Sequence, residues 1–240
     1  MKKHGKNLRI KIILIMAKTA NSSKPELKTE PKLKVDLNIE QKEFVELFYK
    51  YDVNFLLGDF GTGKSLAAVH TAIKAYRKRS REFSIDNIWI TRPMLKNNLA
   101  ALPGTLEEKM APYTFPIIQN LEVCQGKEQT DKMLKEGNIK IMPIEVAKGV
   151  TFIKSVVIVD EFQDMDYNDF RTILTRLGEG SKMIFCGSLQ QIDKIIGRNS
   201  CIYDILKLKN SNLVGFKELT ANHRNPILTD IINYLENEQS

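Results

Sequence analysis

Gly58-Asp59-Phe60-Gly61-Thr62-Gly63-Lys64-Ser65 has glycine, glycine, lysine and serine at the spacing Gly-x-x-x-x-Gly-Lys-Ser/Thr. Glycines at these places let successive backbone N–H groups turn inward, which makes a nest for phosphate oxygens. Lys64 is expected to face solvent in the empty loop and to reach the β- and γ-phosphates of a bound nucleotide, with the Ser65 hydroxyl on Mg²⁺. Asp59, Phe60 and Thr62 complete the set that would touch the nucleotide. The loop has no acid to hold the metal. Ser155-Val-Val-Ile-Val-Asp160-Glu161 supplies one: an apolar β-branched run ends in two carboxylates. Asp160 would hold Mg²⁺, partly through water, while Glu161 would polarise the attacking water. The ligands this pattern predicts are ATP and Mg²⁺.

Such groups work only if strands and helices deliver them to one place. Residues 53–57 read as a buried strand leading into the loop, and 65–79 as a helix with Leu66, Val69, Ile73 and Tyr76 on one stripe. That helix would aim the positive end of its dipole at the phosphates. Further strands are expected at 87–91, 139–142, 155–159, 182–186 and 213–219. A helix over 166–177 would turn Phe170, Ile173, Leu174 and Leu177 to the core. Strand and helix alternate, which predicts an α/β fold with a mostly parallel sheet and helices on both faces. In such sheets ligands bind at the carboxyl ends of the strands, where both motifs fall.

The formal charge of +7 is unevenly spread. Residues 1–38 hold ten Lys or Arg against three Asp or Glu, so residues 39–240 sum to zero. Residues 1–37 therefore read as a basic, disordered tail and 38–240 as the globular domain. Within the tail, Arg9 and Lys11 interrupt the apolar run, leaving it too short for a signal peptide or a membrane span, and Met16 is a candidate start. Cys124, Cys186 and Cys201 show no paired spacing and sit in or near apolar runs, as reduced core thiols of a cytoplasmic protein would. His4, His70 and His223 are too scattered to suggest a transition-metal site.

From residue 38 to 237 the chain resembles the PhoH-like proteins, relatives of the superfamily 1 helicase motor with a RecA-like fold. The resemblance is carried by Leu37-Asn-Ile-Glu-Gln41, Ile90-Thr-Arg-Pro93, the block Leu102 to Tyr113, Asp160-Glu-Phe-Gln-Asp164 and Leu174-Thr-Arg-Leu-Gly178. It implies that Gln41 lies near the adenine, that Thr91, Arg92, Pro93 and Lys109 contact nucleic acid or a neighbouring subunit, and that Gln191 senses the γ-phosphate. It also implies that Arg224, or failing it Arg176, stabilises the transition state as a catalytic arginine. The chain departs from the family pattern at Ser188, where an acid is usual, and at Asp59, where proline is common; Asn222 to Pro226 matches only at Arg224 and Pro226.

The activity so implied is Mg²⁺-dependent ATP hydrolysis coupled to a polynucleotide, RNA before DNA. A superfamily 1 motor closes two RecA-like domains around ATP and this chain has one, so a homo-oligomer is expected, with a neighbour's arginine completing the site. A small-molecule kinase would need a lid and an acceptor pocket, of which the sequence gives no sign. A scaffold gated by ATP without turning it over is the other alternative.

Overall fold

The computed structural model describes residues 33–78, 80, 83–93, 106–192, 196–221, 227, 231 and 234, with side chains from 113 onward in the helix that begins at 106. Lys32–Ser240 forms one compact unit. In chain order its principal elements are α1 (Ile39–Lys50), β1 (Val53–Gly58), α2 (Lys64–Arg77), β2 (Asn87–Arg92), α3 (Leu106–Gln125), α4 (Lys127–Lys135), β3 (Ile139–Pro143), α5 (Ile144–Ala147), β4 (Ser155–Val159), α6 (Tyr167–Leu174), β5 (Lys182–Gly187), α7 (Ile202–Ile205) and β6 (Gly215–Leu219).

Among the described residues the sheet has six strands in the order β3-β2-β4-β5-β1-β6, every pair parallel. Strands buried on both faces need apolar residues at every position, and alternate side chains go to opposite layers. Leu56, Ile88, Ile90, Val156, Ile158, Ile184 and Cys186 pack in one layer with residues of α1, α2, α3 and α4. Phe55, Leu57, Trp89, Val157, Val159, Met183 and Phe185 pack in the other with α5, α6 and α7. In that second layer Phe185 stacks on Phe55 at 5.2 Å and meets Phe170 at 5.2 Å and Phe162 at 5.8 Å. Burying one such ring is worth about 1.5–3 kcal/mol. This is the α/β fold with helices on both faces that the alternation of elements predicts.

One boundary and one burial pattern differ from the sequence reading. The body begins before residue 38: Leu37 is buried, Leu33 and Val35 pack on the core, and Lys34 N–H donates to the Cys124 carbonyl at 2.9 Å. Residues 33–37 read as tail in the sequence because Lys34 continues the basic composition of the segment before it. Helix α2 is also buried more widely than one stripe, with Ala67, Ala68, His70, Thr71, Ala72 and Ala75 buried as well. It lies between the sheet, α1 and α3, and small alanines let those neighbours approach. Cys124, Cys186 and Cys201 are free and buried. No described helix is long and apolar enough to cross a membrane.

Candidate functional site

The neighbouring strands β4, β5 and β1 deliver three segments to the carboxyl edge of the sheet. These are Asp160-Glu161, Ser188–Gln191 and the loop 58–65. Gly61 and Gly63 adopt φ of 76° and 77°, the left-handed region that favours glycine, and Gly63 is the N-cap of α2. A glycine cap has no side chain to bind the first turn, so those backbone donors are left for an anion. Helix α1 is capped differently. Asn38 Oδ1 accepts from Gln41 N–H at 2.9 Å while Gln41 Oε1 accepts from Asn38 N–H at 3.1 Å.

Lys64 is not solvent-facing. It is 9% exposed, and its Nζ donates to the carbonyls of Gly58 at 2.6 Å and Asp59 at 2.9 Å. The loop folds its own acceptors around the ammonium, so the lysine closes the nest when no phosphate is there. Burial lowers the Lys64 pKa, against the opposing pull of Glu161, Asp160 and Asp59. Thr62 is buried and its hydroxyl donates to the Asp59 carbonyl at 2.9 Å. The side chains of Asp59 and Phe60 are exposed, and Gln190 Nε2 donates to Asp59 Oδ2 at 3.2 Å. The extra carboxylate therefore stands at the solvent side of the loop.

Ser65 Oγ donates to Asp160 Oδ1 at 2.8 Å. This contact, between residues 95 apart in sequence, joins the two halves of the predicted metal site. Asp160 is buried, and burial together with the Glu161 charge pushes its carboxyl up to about 6 despite the Ser65 hydrogen bond, Arg92 and Lys64. A buried carboxylate so placed suits a divalent cation, which would offset the cost of its charge. Because the folded pKa lies above the ordinary 3.8, this group favours the folded state at low pH, and the benefit fades as pH rises through about 4 to 6. Mg²⁺ needs the ionised form. The Mg²⁺ affinity of the nucleotide complex is therefore expected to weaken roughly tenfold between pH 7 and pH 5. Titrating Mg²⁺ at fixed nucleotide and following the thermal midpoint at both pH values checks this; a pH-independent affinity would remove Asp160 as a ligand.

Glu161 has a left-handed backbone, φ 53°, uncommon for a residue with a side chain. Its Oε2 accepts from Gln163 Nε2 at 2.7 Å, and its Oε1 lies 3.8 Å from Arg92 Nη2. Arg92, at the end of β2, thus faces the candidate general base rather than only outward, and its guanidinium lies 6.0 Å from the Tyr113 ring. Pro93 is half-exposed beside it.

The other expected residues divide. Gln41 is brought to the loop and donates from Nε2 to the Thr62 carbonyl at 3.3 Å. Its amide is engaged with protein at both ends, so its visible task is to tie α1 to the loop. Thr91 is a correction: it is 1% exposed, because β2 runs between β3 and β4, and its side chain is not on the surface for a nucleic-acid or subunit contact. Arg176 is a second correction. It follows α6, which returns from the carboxyl edge, and its carbonyl accepts from Phe152 N–H at 2.9 Å ahead of β4. That places it at the amino edge, a strand length from the loop, so it does not serve the site of its own chain. Gln191 is half-buried at the site, and its buried Nε2 has no hydrogen-bond partner among the described residues. Arg224 and the side chain of Lys109 lie outside the described residues.

The roles of three residues went unread in the sequence. Ser188 is buried and its Oγ accepts from Gln190 N–H at 3.2 Å, so the residue standing in place of an acid organises the turn before Gln191. Gln163 is buried and hydrogen-bonded to Glu161. Glu40 accepts from Thr220 N–H at 2.9 Å and Ala221 N–H at 3.1 Å, and with the Thr220 hydroxyl these bonds lower its pKa to about 2. A glutamine two residues beyond Glu161, with the apolar Phe162 between them, was the available signal for Gln163.

Comparison with known proteins identifies the family and the fold. The chain is 37% identical over 155 residues to the PhoH-like protein of Bacillus subtilis (strain 168), covering 64% of this chain and 47% of that protein. It is 33% identical to the PhoH-like protein of Synechocystis sp. (strain ATCC 27184 / PCC 6803 / Kazusa), covering 64% of this chain and 46% of that protein. The chain thus spans about half the length of the curated relatives it matches. Among solved structures, the large terminase from a thermophilic bacteriophage superposes with a TM-score of 0.50 at 11% identity, over 78% of this chain and 46% of that one; this is a likeness of fold alone. Residues 35–236 match the family described as PhoH-like protein. With that match over most of its length, and a parallel sheet beneath it, the chain belongs to the PhoH-like protein family.

Proposed function

We propose that this protein is a Mg²⁺-dependent ATPase whose hydrolysis is coupled to binding of a polynucleotide, RNA in preference to DNA. The observation that carries the reading is the 2.8 Å contact between Ser65 and Asp160, which puts the phosphate loop and the acidic pair in one site with Lys64 and Glu161 beside it. Ser65 and Asp160 would hold Mg²⁺, which when bound would neutralise charge on the phosphate oxygens. Lys64 would exchange its loop carbonyls for the β- and γ-phosphates. Glu161 would take the proton of the water that attacks the γ-phosphorus, giving ADP and inorganic phosphate. With Arg176 at the far edge, a catalytic arginine would come from Arg224 or from a neighbouring subunit of a homo-oligomer.

One observation favours the rival reading, a scaffold that binds nucleotide without turnover: both oxygens of Glu161 already have partners, Gln163 and Arg92. Steady-state phosphate release, measured alone and with RNA, DNA or small hydroxyl acceptors, separates the alternatives. Release stimulated by RNA supports the coupled ATPase. Tight nucleotide binding without release supports the scaffold, and phosphate appearing on an acceptor supports a kinase.

Arg92 gives the coupling a physical route, since a guanidinium near Glu161 at the end of β2 could also meet a phosphodiester. Arg92→Ala is expected to abolish nucleic-acid stimulation while changing the salt slope of binding by only about one unit. Deleting residues 1–31, which hold most of the excess positive charge, is expected to weaken binding mainly at low salt and to lower the slope by several units, with stimulation retained. Binding isotherms across a salt series, paired with phosphate release, read both. If the truncated protein ignores every polynucleotide at low salt, the coupling is wrong.

A further inference from the structure

We infer that Gln163 is a positioning residue that holds the Glu161 carboxylate and the main chain of residues 188–191 as one hydrogen-bonded unit, so that contact of Gln191 with a γ-phosphate sets where Glu161 stands. This rests on the hydrolytic reading above. Gln163 is 1% exposed. Its Nε2 donates to Glu161 Oε2 at 2.7 Å and to the Gln191 carbonyl at 3.4 Å, while its Oε1 accepts from Ser188 N–H at 3.2 Å. Its own carbonyl accepts from the Ser200 hydroxyl, which anchors it from behind.

The packing leaves this side chain little choice of position. A Cβ on Gly187 would stand 2.7 Å from the Phe162 ring and 2.8 Å from Gln163 Oε1, so the end of β5 is shaped to the Phe162-Gln163 step. Glu161 itself is in a left-handed conformation, which costs about 1–3 kcal/mol and persists only where surroundings fix it. A core glutamine with a purely structural task would satisfy buried backbone groups. Here the shortest side-chain bond goes to a charged carboxylate at the site, and the others go to the segment that carries the candidate γ-phosphate sensor. Gln163 therefore joins a sensor to a base across two strands.

The test compares Gln163→Glu and Gln163→Met in the full chain, each also combined with Glu161→Gln. Gln163→Glu keeps the volume and the acceptor for Ser188 but replaces the donor with an oxygen facing the Glu161 carboxylate. Gln163→Met removes both ends at similar volume. The expected result is a fall in kcat of about tenfold to a hundredfold with KM for ATP within roughly threefold, the scale of a small misplacement of a reacting group. In the Glu161→Gln background most of that loss should disappear, since a positioning residue has nothing left to position. An unchanged kcat, an equal loss in both backgrounds, or a collapsed thermal midpoint in both variants would overturn the inference and make Gln163 a core residue. No phosphate release from the unmodified chain would instead overturn the hydrolytic reading, and this inference with it.

Discussion

Lys64→Ala is expected to abolish ATP turnover and to weaken nucleotide binding by at least two orders of magnitude while the protein stays folded. Nζ now serves the carbonyls of Gly58 and Asp59, and the same two bonds are what a triphosphate would take over. Charge-assisted hydrogen bonds are worth about 1.5–3 kcal/mol each, so losing two of them costs about 3–6 kcal/mol of phosphate binding, a factor of roughly 10²–10⁴. The empty protein loses less. Asp59 and Phe60 are exposed in that loop, so water can replace the ammonium at its carbonyls. A thermal midpoint shifted by only a few degrees, beside a nucleotide titration that no longer saturates, is the expected pair of measurements. Turnover at the unmodified rate would remove the basis for a phosphate site at this loop.

Glu161→Gln is expected to keep Mg²⁺–ATP binding and to slow hydrolysis at least a hundredfold, the scale of a lost general base. The substitution is isosteric, and glutamine keeps an oxygen to accept from Gln163 Nε2, so the left-handed turn should hold its shape. It removes the charge that pairs with Arg92 at 3.8 Å, and it removes a like charge from beside Asp160. Both changes leave ground-state binding intact or somewhat tighter. Single-turnover phosphate release with a separate binding isotherm separates the outcomes. An equal loss of binding and turnover would make Glu161 a metal-holding or structural residue.

The chemistry was legible in the sequence wherever it rests on spacing within one short segment. The phosphate loop needs glycines at fixed offsets because a backbone nest is a local conformation, and the strand before it and the helix after it are equally local. The Asp-Glu pair was legible because a run of four β-branched residues marks a central strand whose end must carry something polar. All six strands came out within about two residues, since a doubly covered parallel strand is a continuous apolar run that alternation with helices confirms.

The sequence by itself determined the phosphate-loop motif, the parallel sheet and the edge at which the groups emerge, because each of these follows from residues close together in the chain. Only the tertiary structure decided which of those groups meet. The strand order placed β5 between β1 and β4, and so brought the segment Ser188 to Gln191 to the same edge beside the loop and the acids. Burial in the loop turned Lys64 inward, and the passage of β2 between two neighbours hid Thr91. The return of α6 carried Arg176 to the opposite edge, out of reach of the loop. Gln163 gained its place only when β4 and β5 lay side by side. Side-chain direction and long-range pairing are properties of the packed sheet, set by which strands are neighbours, and no local pattern of residues encodes that order.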